Sequence, residues 1–273
     1  MKSISGHLVV GATAVLGAAG LFSACVSDDS SIFLRGVMAP PTTATAGTTC
    51  LYVGDATQPM IYQGTLDTAL LLTYTPTLLI GSQLLPRGNE GQVRVETSRV
   101  AIQGAIVRIN DSEGRELRSF TRLGSAFIDP ASGTTPSYTP FATTLVDSAT
   151  GLSLRQALFP GGVTSGQVKR LVVNVKVFGT TLGGQKLESN ELQFPVNVCY
   201  GCLISYPTDS VNQTLKQATG RNNCANTGSG TAAIPCIRGQ DQIVDCRLCQ
   251  EVSECDPGNI TPPQPIVDAG GGG

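Results

Sequence analysis

Cysteine is the residue that most limits how this chain can fold. Seven of its nine cysteines fall after residue 198, at Cys199, Cys202, Cys224, Cys236, Cys246, Cys249 and Cys255, with Cys50 far upstream and Cys25 further still. Setting Cys25 aside, an even number of cysteines in an exported chain reads as four disulfides. The region after residue 198 is then a small stapled module, too poor in apolar residues to hold itself by a core. Cys50 is expected to close a long loop to one of the others, a constraint worth roughly 3–5 kcal/mol in the chain-entropy model. Spacing alone does not choose the connectivity.

The compartment follows from the start of the chain. Met1-Lys2-Ser3 is a short basic opening, Leu8 to Phe22 is apolar, and Ser23-Ala24-Cys25 ends the run. This is the layout of a secretory signal. The apolar run is shorter than the roughly 20 residues a spanning helix needs. Phe22 suits an ordinary small-residue cleavage site poorly. Leu21-Phe22-Ser23-Ala24-Cys25 instead resembles the lipobox of bacterial lipoproteins, with Phe22 where that family usually shows Leu. The resemblance implies that Cys25 takes a diacylglyceryl group before cleavage and that its freed amine is then acylated, for example with palmitate. A thiol suits that role because its ionised form is a strong nucleophile. Each buried methylene contributes about 0.8 kcal/mol, and two or three chains hold a protein on a membrane where one does not. Val26 stands where an inner-membrane retention signal would show Asp, which favours the outer membrane.

Composition excludes several activities. The only histidine, His7, lies in the leader, so the remaining chain has no imidazole for a Ser–His–Asp or Cys–His site or for a metal. There is no tryptophan, and Lys+Arg 18 against Asp+Glu 20 leaves a net charge of −2. No basic stretch interleaves with aromatics, so nucleic acid is not an expected partner. Nor is a cofactor expected. A hydrolase without histidine stays formally open, but no local pattern points to a catalytic residue.

Two C-x-x-C pairs invite sharper readings: Cys199-Tyr200-Gly201-Cys202 and Cys246-Arg247-Leu248-Cys249. A zinc ribbon would place its pairs about 15–20 residues apart, far closer than these, and Cys224 and Cys236 fall between them. Haem attachment needs a histidine after the second cysteine, where Leu203 and Gln250 stand. A thioredoxin-like site needs its pair at the start of a helix in a βαβ unit, whereas Cys199 ends an alternating strand. Structural disulfides are the preferred reading, and no metal is expected. Thiol–disulfide exchange at Cys199 and Cys202 is the alternative.

Between Cys50 and Cys199 the chain alternates apolar and polar residues in short runs broken by Gly, Asn, Asp and Pro. Leu70 to Leu85 holds two apolar runs split by Pro76. Gln92 to Glu96 alternates, and Val100 to Ile109 leads into a turn at Asn110-Asp111-Ser112-Glu113-Gly114, with Leu117 to Leu123 as an antiparallel return. Lys169 to Phe178 places Leu171, Val173, Val175 and Val177 on one face with Asn174 and Lys176 on the other. A turn at Thr180–Gly184 leads back through Leu187 to Val198. Roughly seven to nine such strands predict an immunoglobulin-like antiparallel β-sandwich, with a small barrel as the rival. The predicted plan is a signal peptide (1–24), a lipidated tether (25–49), the sandwich (50–198), a loop-rich disulfide-stapled module (199–256) and a disordered tail (257–273). Within the tether, Ile32, Phe33 and Leu34 are apolar enough to dock as a short strand. Gln240 to Asp245 is expected to make a short helical turn. Asn110, Asn212 and Asn259 open glycosylation-type triplets that read as turns.

The run Val177 to Gly184, with Glu188-Ser189-Asn190-Glu191 and Phe194 to Cys202, resembles uncharacterised exported lipoproteins of myxobacterial type. That resemblance implies a cell-envelope lipoprotein and carries over no catalytic residue. The expected function is a membrane-anchored, non-enzymatic structural or protein-interaction module with an envelope protein as partner. A tethered thiol–disulfide oxidoreductase is the alternative.

Overall fold

Two-residue alternation builds this molecule. Along Lys169–Thr181, Leu171, Val173, Val175 and Val177 are all at most 1% exposed, as expected where one face of a pleated strand meets a core. The computed structural model describes residues 30–41, 50–87, 96–158, 167–205 and 234–249. The leader, Cys25, Cys224, Cys255, nearly all of the 92–96 alternation, Asn212, Asn259 and the 257–273 tail lie outside them.

In chain order the elements are β1 (Ile32–Met38), β2 (Met60–Ile61), β3 (Gly64–Asp67), β4 (Thr77–Ser82), β5 (Val100–Asp111), β6 (Glu116–Ile128) and β7 (Ser137–Ala142). Helix α1 (Ser148–Leu158) follows, then β8 (Lys169–Thr181), β9 (Lys186–Glu188) and β10 (Leu192–Cys199). Two short strands, β11 (Ile204–Ser205) and β12 (Val244–Asp245), belong to the cysteine-rich region and precede a 3-10 turn at Cys246–Leu248.

The strands form two main sheets. One runs β2-β1-β4-β7, and the larger runs β3-β10-β8-β5-β6 with β9 also on β8. Their inner faces share one core. Ile32, Leu34, Leu78, Ile80 and Phe141 come from the first sheet, and Val107, Ile109, Val173, Val175, Phe194 and Val196 from the second. This is the expected mainly β, antiparallel sandwich, and its two sheets are separate rather than closed into a barrel. The Asn110–Gly114 turn joins β5 to β6 as expected, with Asp111 accepting the Glu113 and Arg115 N–H groups at 2.9 Å each.

Four features depart from the sequence reading. First, β1 arises from the segment read as tether. The docking expected for Ile32, Phe33 and Leu34 extends over seven residues, because β4 supplies an antiparallel partner from Ile32 to Val37. Second, β3 and β10 pair in parallel, Asp67 standing opposite Cys199. Third, α1 has no counterpart in the sequence reading. Asp147 caps it by accepting from the Thr150 hydroxyl and backbone N–H. Gly151 lets it lie on the backbone of Leu72, where an added Cβ would stand 1.9 Å from the Leu72 carbonyl oxygen. Fourth, the helical turn expected over 240–245 falls instead at Cys246–Leu248. Gln240 and Asp241 are taken up by the open edge of β3, where Gln240 bridges Leu66 and the Asp241 N–H donates to the Thr65 carbonyl at 3.0 Å.

Candidate functional site

The parallel pairing of β3 with β10 brings a carboxylate to the first C-x-x-C pair. Val198 pairs with Leu66 and Cys199 with Asp67, so both strands end at the same level. Beyond that point the chain turns through Tyr200 and Gly201 to Cys202. Gly201 has φ +71°, a left-handed conformation that glycine adopts without steric cost. Thr68 holds the Cys199 carbonyl twice, through its N–H at 2.8 Å and its hydroxyl at 2.7 Å.

Asp67 is fully buried and organises the loop. Its Oδ1 accepts from Ala69 N at 3.0 Å and Gly201 N at 2.6 Å, and its Oδ2 accepts from Leu203 N at 2.8 Å. Burial pushes its carboxyl above the usual carboxylate range, although these N–H donors and the nearby Arg155 favour the ionised form. Arg155, projecting from α1, lies over the ring of Tyr200 at 5.4 Å.

Cys199 and Cys202 are joined as a disulfide. The two sulfurs and an Asp67 carboxylate oxygen lie within 4.8 Å of one another. The sulfurs differ in setting: Cys199 is 1% exposed with its Sγ 3.5 Å from the Leu66 carbonyl oxygen, whereas Cys202 is exposed. Among the described residues this is the one group with the makings of a metal site. With the disulfide closed, neither sulfur is a thiolate, the form that binds metal.

The other cysteines among the described residues also staple the fold. Cys50 bonds to Cys236, closing the long loop expected of it over a sequence separation of 186. Cys246 and Cys249 are each in a disulfide as well. The module is locked to the sandwich by buried polar groups. Asp241 accepts from Thr65 N at 2.8 Å and from the Tyr74 hydroxyl at 2.9 Å, and Gln240 accepts from Thr75 N at 2.8 Å. Sequence reasoning singled out neither Asp67 nor Asp241, since the partners that fix their roles, Gly201 and Leu203 for Asp67 and Thr65 and Tyr74 for Asp241, lie far away in sequence.

A second concavity, about 600 Å³, lies between the β5–β6 turn and α1 and presents Arg115, Arg118, Lys169 and Arg170. Arg115 is paired with Asp111 and Glu113, and Arg118 with the buried Asp147. It therefore offers less free positive charge than its residue types suggest.

No protein-family model matches the chain, and no curated protein matches it. Among solved structures it is similar to a Northeast Structural Genomics Consortium target, SoR45, at 10% identity. The alignment covers 61% of this chain and 86% of that one, with a TM-score of 0.27, too low a likeness to carry any argument.

Proposed function

We propose that this protein is a membrane-anchored cell-envelope lipoprotein whose β-sandwich and stapled C-terminal region act as a non-enzymatic structural or protein-interaction module. The observation that carries the reading is the disulfide set: Cys50–Cys236 and Cys199–Cys202 are bonds that persist in exported compartments and are rare in reducing ones. They support the leader and the lipobox-like Leu21 to Cys25 as an export and lipidation signal. The myxobacterial-type resemblance points the same way. The anchor is the set of acyl chains on Cys25, the outer membrane is the favoured site, and residues between Cys25 and β1 form the tether. No helix among the described residues is long and apolar enough to cross a membrane. The outer face of the larger sheet presents Leu123, 84% exposed, and Phe127 to a partner.

The test is fractionation of cells expressing the full chain or its Cys25→Ser variant, with the intact mass of each product. The wild-type chain is expected in the membrane fraction with an acyl mass on Cys25, and the variant in the soluble fraction or unprocessed. A wild-type product lacking lipid would overturn the reading.

A further inference from the structure

We infer that Cys199–Cys202 is an exchangeable disulfide, and that the Asp67 carboxyl serves as the proton donor to its buried sulfur when a dithiol-bearing exported polypeptide opens it. This goes beyond the module reading, for a scaffold needs only a closed staple.

Three observations converge on the loop. The pair is asymmetric, with Cys202 exposed and Cys199 enclosed by β3 and β10, so an incoming thiolate meets one sulfur only. Exposed disulfides are the more readily exchanged ones. A carboxyl group stands within 4.8 Å of both sulfurs in a fully buried position. Finally, Oδ2 accepts a single N–H, from Leu203, so a lone-pair direction remains for a proton.

A thiolate of the incoming polypeptide attacks Cys202 Sγ, the Cys199–Cys202 bond breaks, and Cys199 Sγ leaves with the electron pair. Asp67, whose burial favours the protonated carboxyl against the pull of its N–H donors and of the nearby Arg155 charge, passes its proton to that sulfur, which would otherwise be a thiolate out of contact with water. The second thiol of the polypeptide, as thiolate, then attacks the mixed disulfide and releases Cys202 as thiolate, which takes a proton from solvent. The polypeptide dithiol is oxidised to a disulfide, and the Cys199–Cys202 disulfide is reduced to two thiols.

The experiment mixes the oxidised, processed full chain with a synthetic peptide carrying two reduced cysteines, without denaturant. New thiols are alkylated and mapped by mass. Expected are alkylated Cys199 and Cys202 in a one-to-one ratio with oxidised peptide, all other disulfides intact and the β circular-dichroism signal unchanged. Opening only together with the other disulfides, or only with loss of that signal, would overturn exchange.

The role of Asp67 is read from the pH profile. Divided by the thiolate fraction of the peptide, the wild-type rate should fall as Asp67 ionises. In Asp67→Asn it should be flat and about a hundredfold lower. A flat wild-type profile removes the proton role, and that outcome is readable even where the variant does not fold. An Asp67→Asn variant that folds and keeps the wild-type rate removes it too.

Discussion

The hydroxyl of Tyr74 donates to the carboxylate of Asp241 at 2.9 Å, joining a sandwich residue to one 167 positions away in the cysteine-rich region. Tyr74 is fully buried, its ring stacks near Phe194 with centroids 6.2 Å apart, and its hydroxyl reaches the one side chain that also accepts the Thr65 N–H. Burial beside Asp241 holds the Tyr74 phenol well above its ordinary range, so it stays a donor. Tyr74→Phe keeps the ring and deletes one hydrogen bond to a partly buried carboxylate. The expected loss is about 1–3 kcal/mol, measured from the urea midpoint with the slope unchanged.

Acid should favour the folded state here, although the Tyr74 hydrogen bond itself favours ionised Asp241. Asp241 and Asp67 both ionise at higher pH in the folded chain than in the unfolded one, burial being the first cause in each case. Between the unfolded and folded pKa values the folded state therefore holds more protons, and stability falls as pH rises. Their contribution is complete below the unfolded carboxylate pKa and lost as pH climbs through the folded values. Asp245 runs the opposite way, because hydrogen bonds from Arg247 lower its pKa and its contribution is lost as pH falls. Asp241→Asn keeps an acceptor for Thr65 and removes one titration. Urea midpoints followed from the carboxylate range to neutrality should decline less steeply in this variant than in the wild type.

The Cys50–Cys236 bond should be the costliest staple to remove. It closes a loop over a separation of 186 residues, for which the chain-entropy model gives about 5 kcal/mol. Replacing both cysteines by alanine should lower the denaturation midpoint more than replacing Cys199 and Cys202, whose loop spans a separation of 3. Equal losses would show that native-state contacts, and not loop closure, set the effect.

Gly151 tests the seating of α1. An added methyl would meet the Leu72 backbone, which cannot rotate aside as a side chain can. Gly151→Ala raises helix propensity yet should destabilise the protein by about 1–3 kcal/mol. A thermal midpoint at or above the wild-type value would show that the helix shifts without cost.

Strand identity was legible in β5, β8 and β10, where one face of the strand is buried and the other is not, but not in β7, where Phe141 alone is buried. Leu171, Val173, Val175 and Val177 announce β8, and the Asn110–Gly114 turn announces the β5–β6 pair, because local alternation and turn chemistry specify each. Helix α1 was not legible: Leu154 and Leu158 are its only buried large apolar residues, and Asp147 resembles any other turn residue until Thr150 bonds to it.

By itself, the sequence determined that the chain is mainly β and that Cys50 closes a long loop. These properties rest on residue type and on periods of a few residues. Only the tertiary structure decided which cysteines meet, that β1 completes the smaller sheet, and that Asp67 lies beneath the Cys199–Cys202 loop. Each of those depends on the parallel or antiparallel order of strands distant in sequence. That order is set by how two sheets bury their apolar faces together, a property no local pattern encodes.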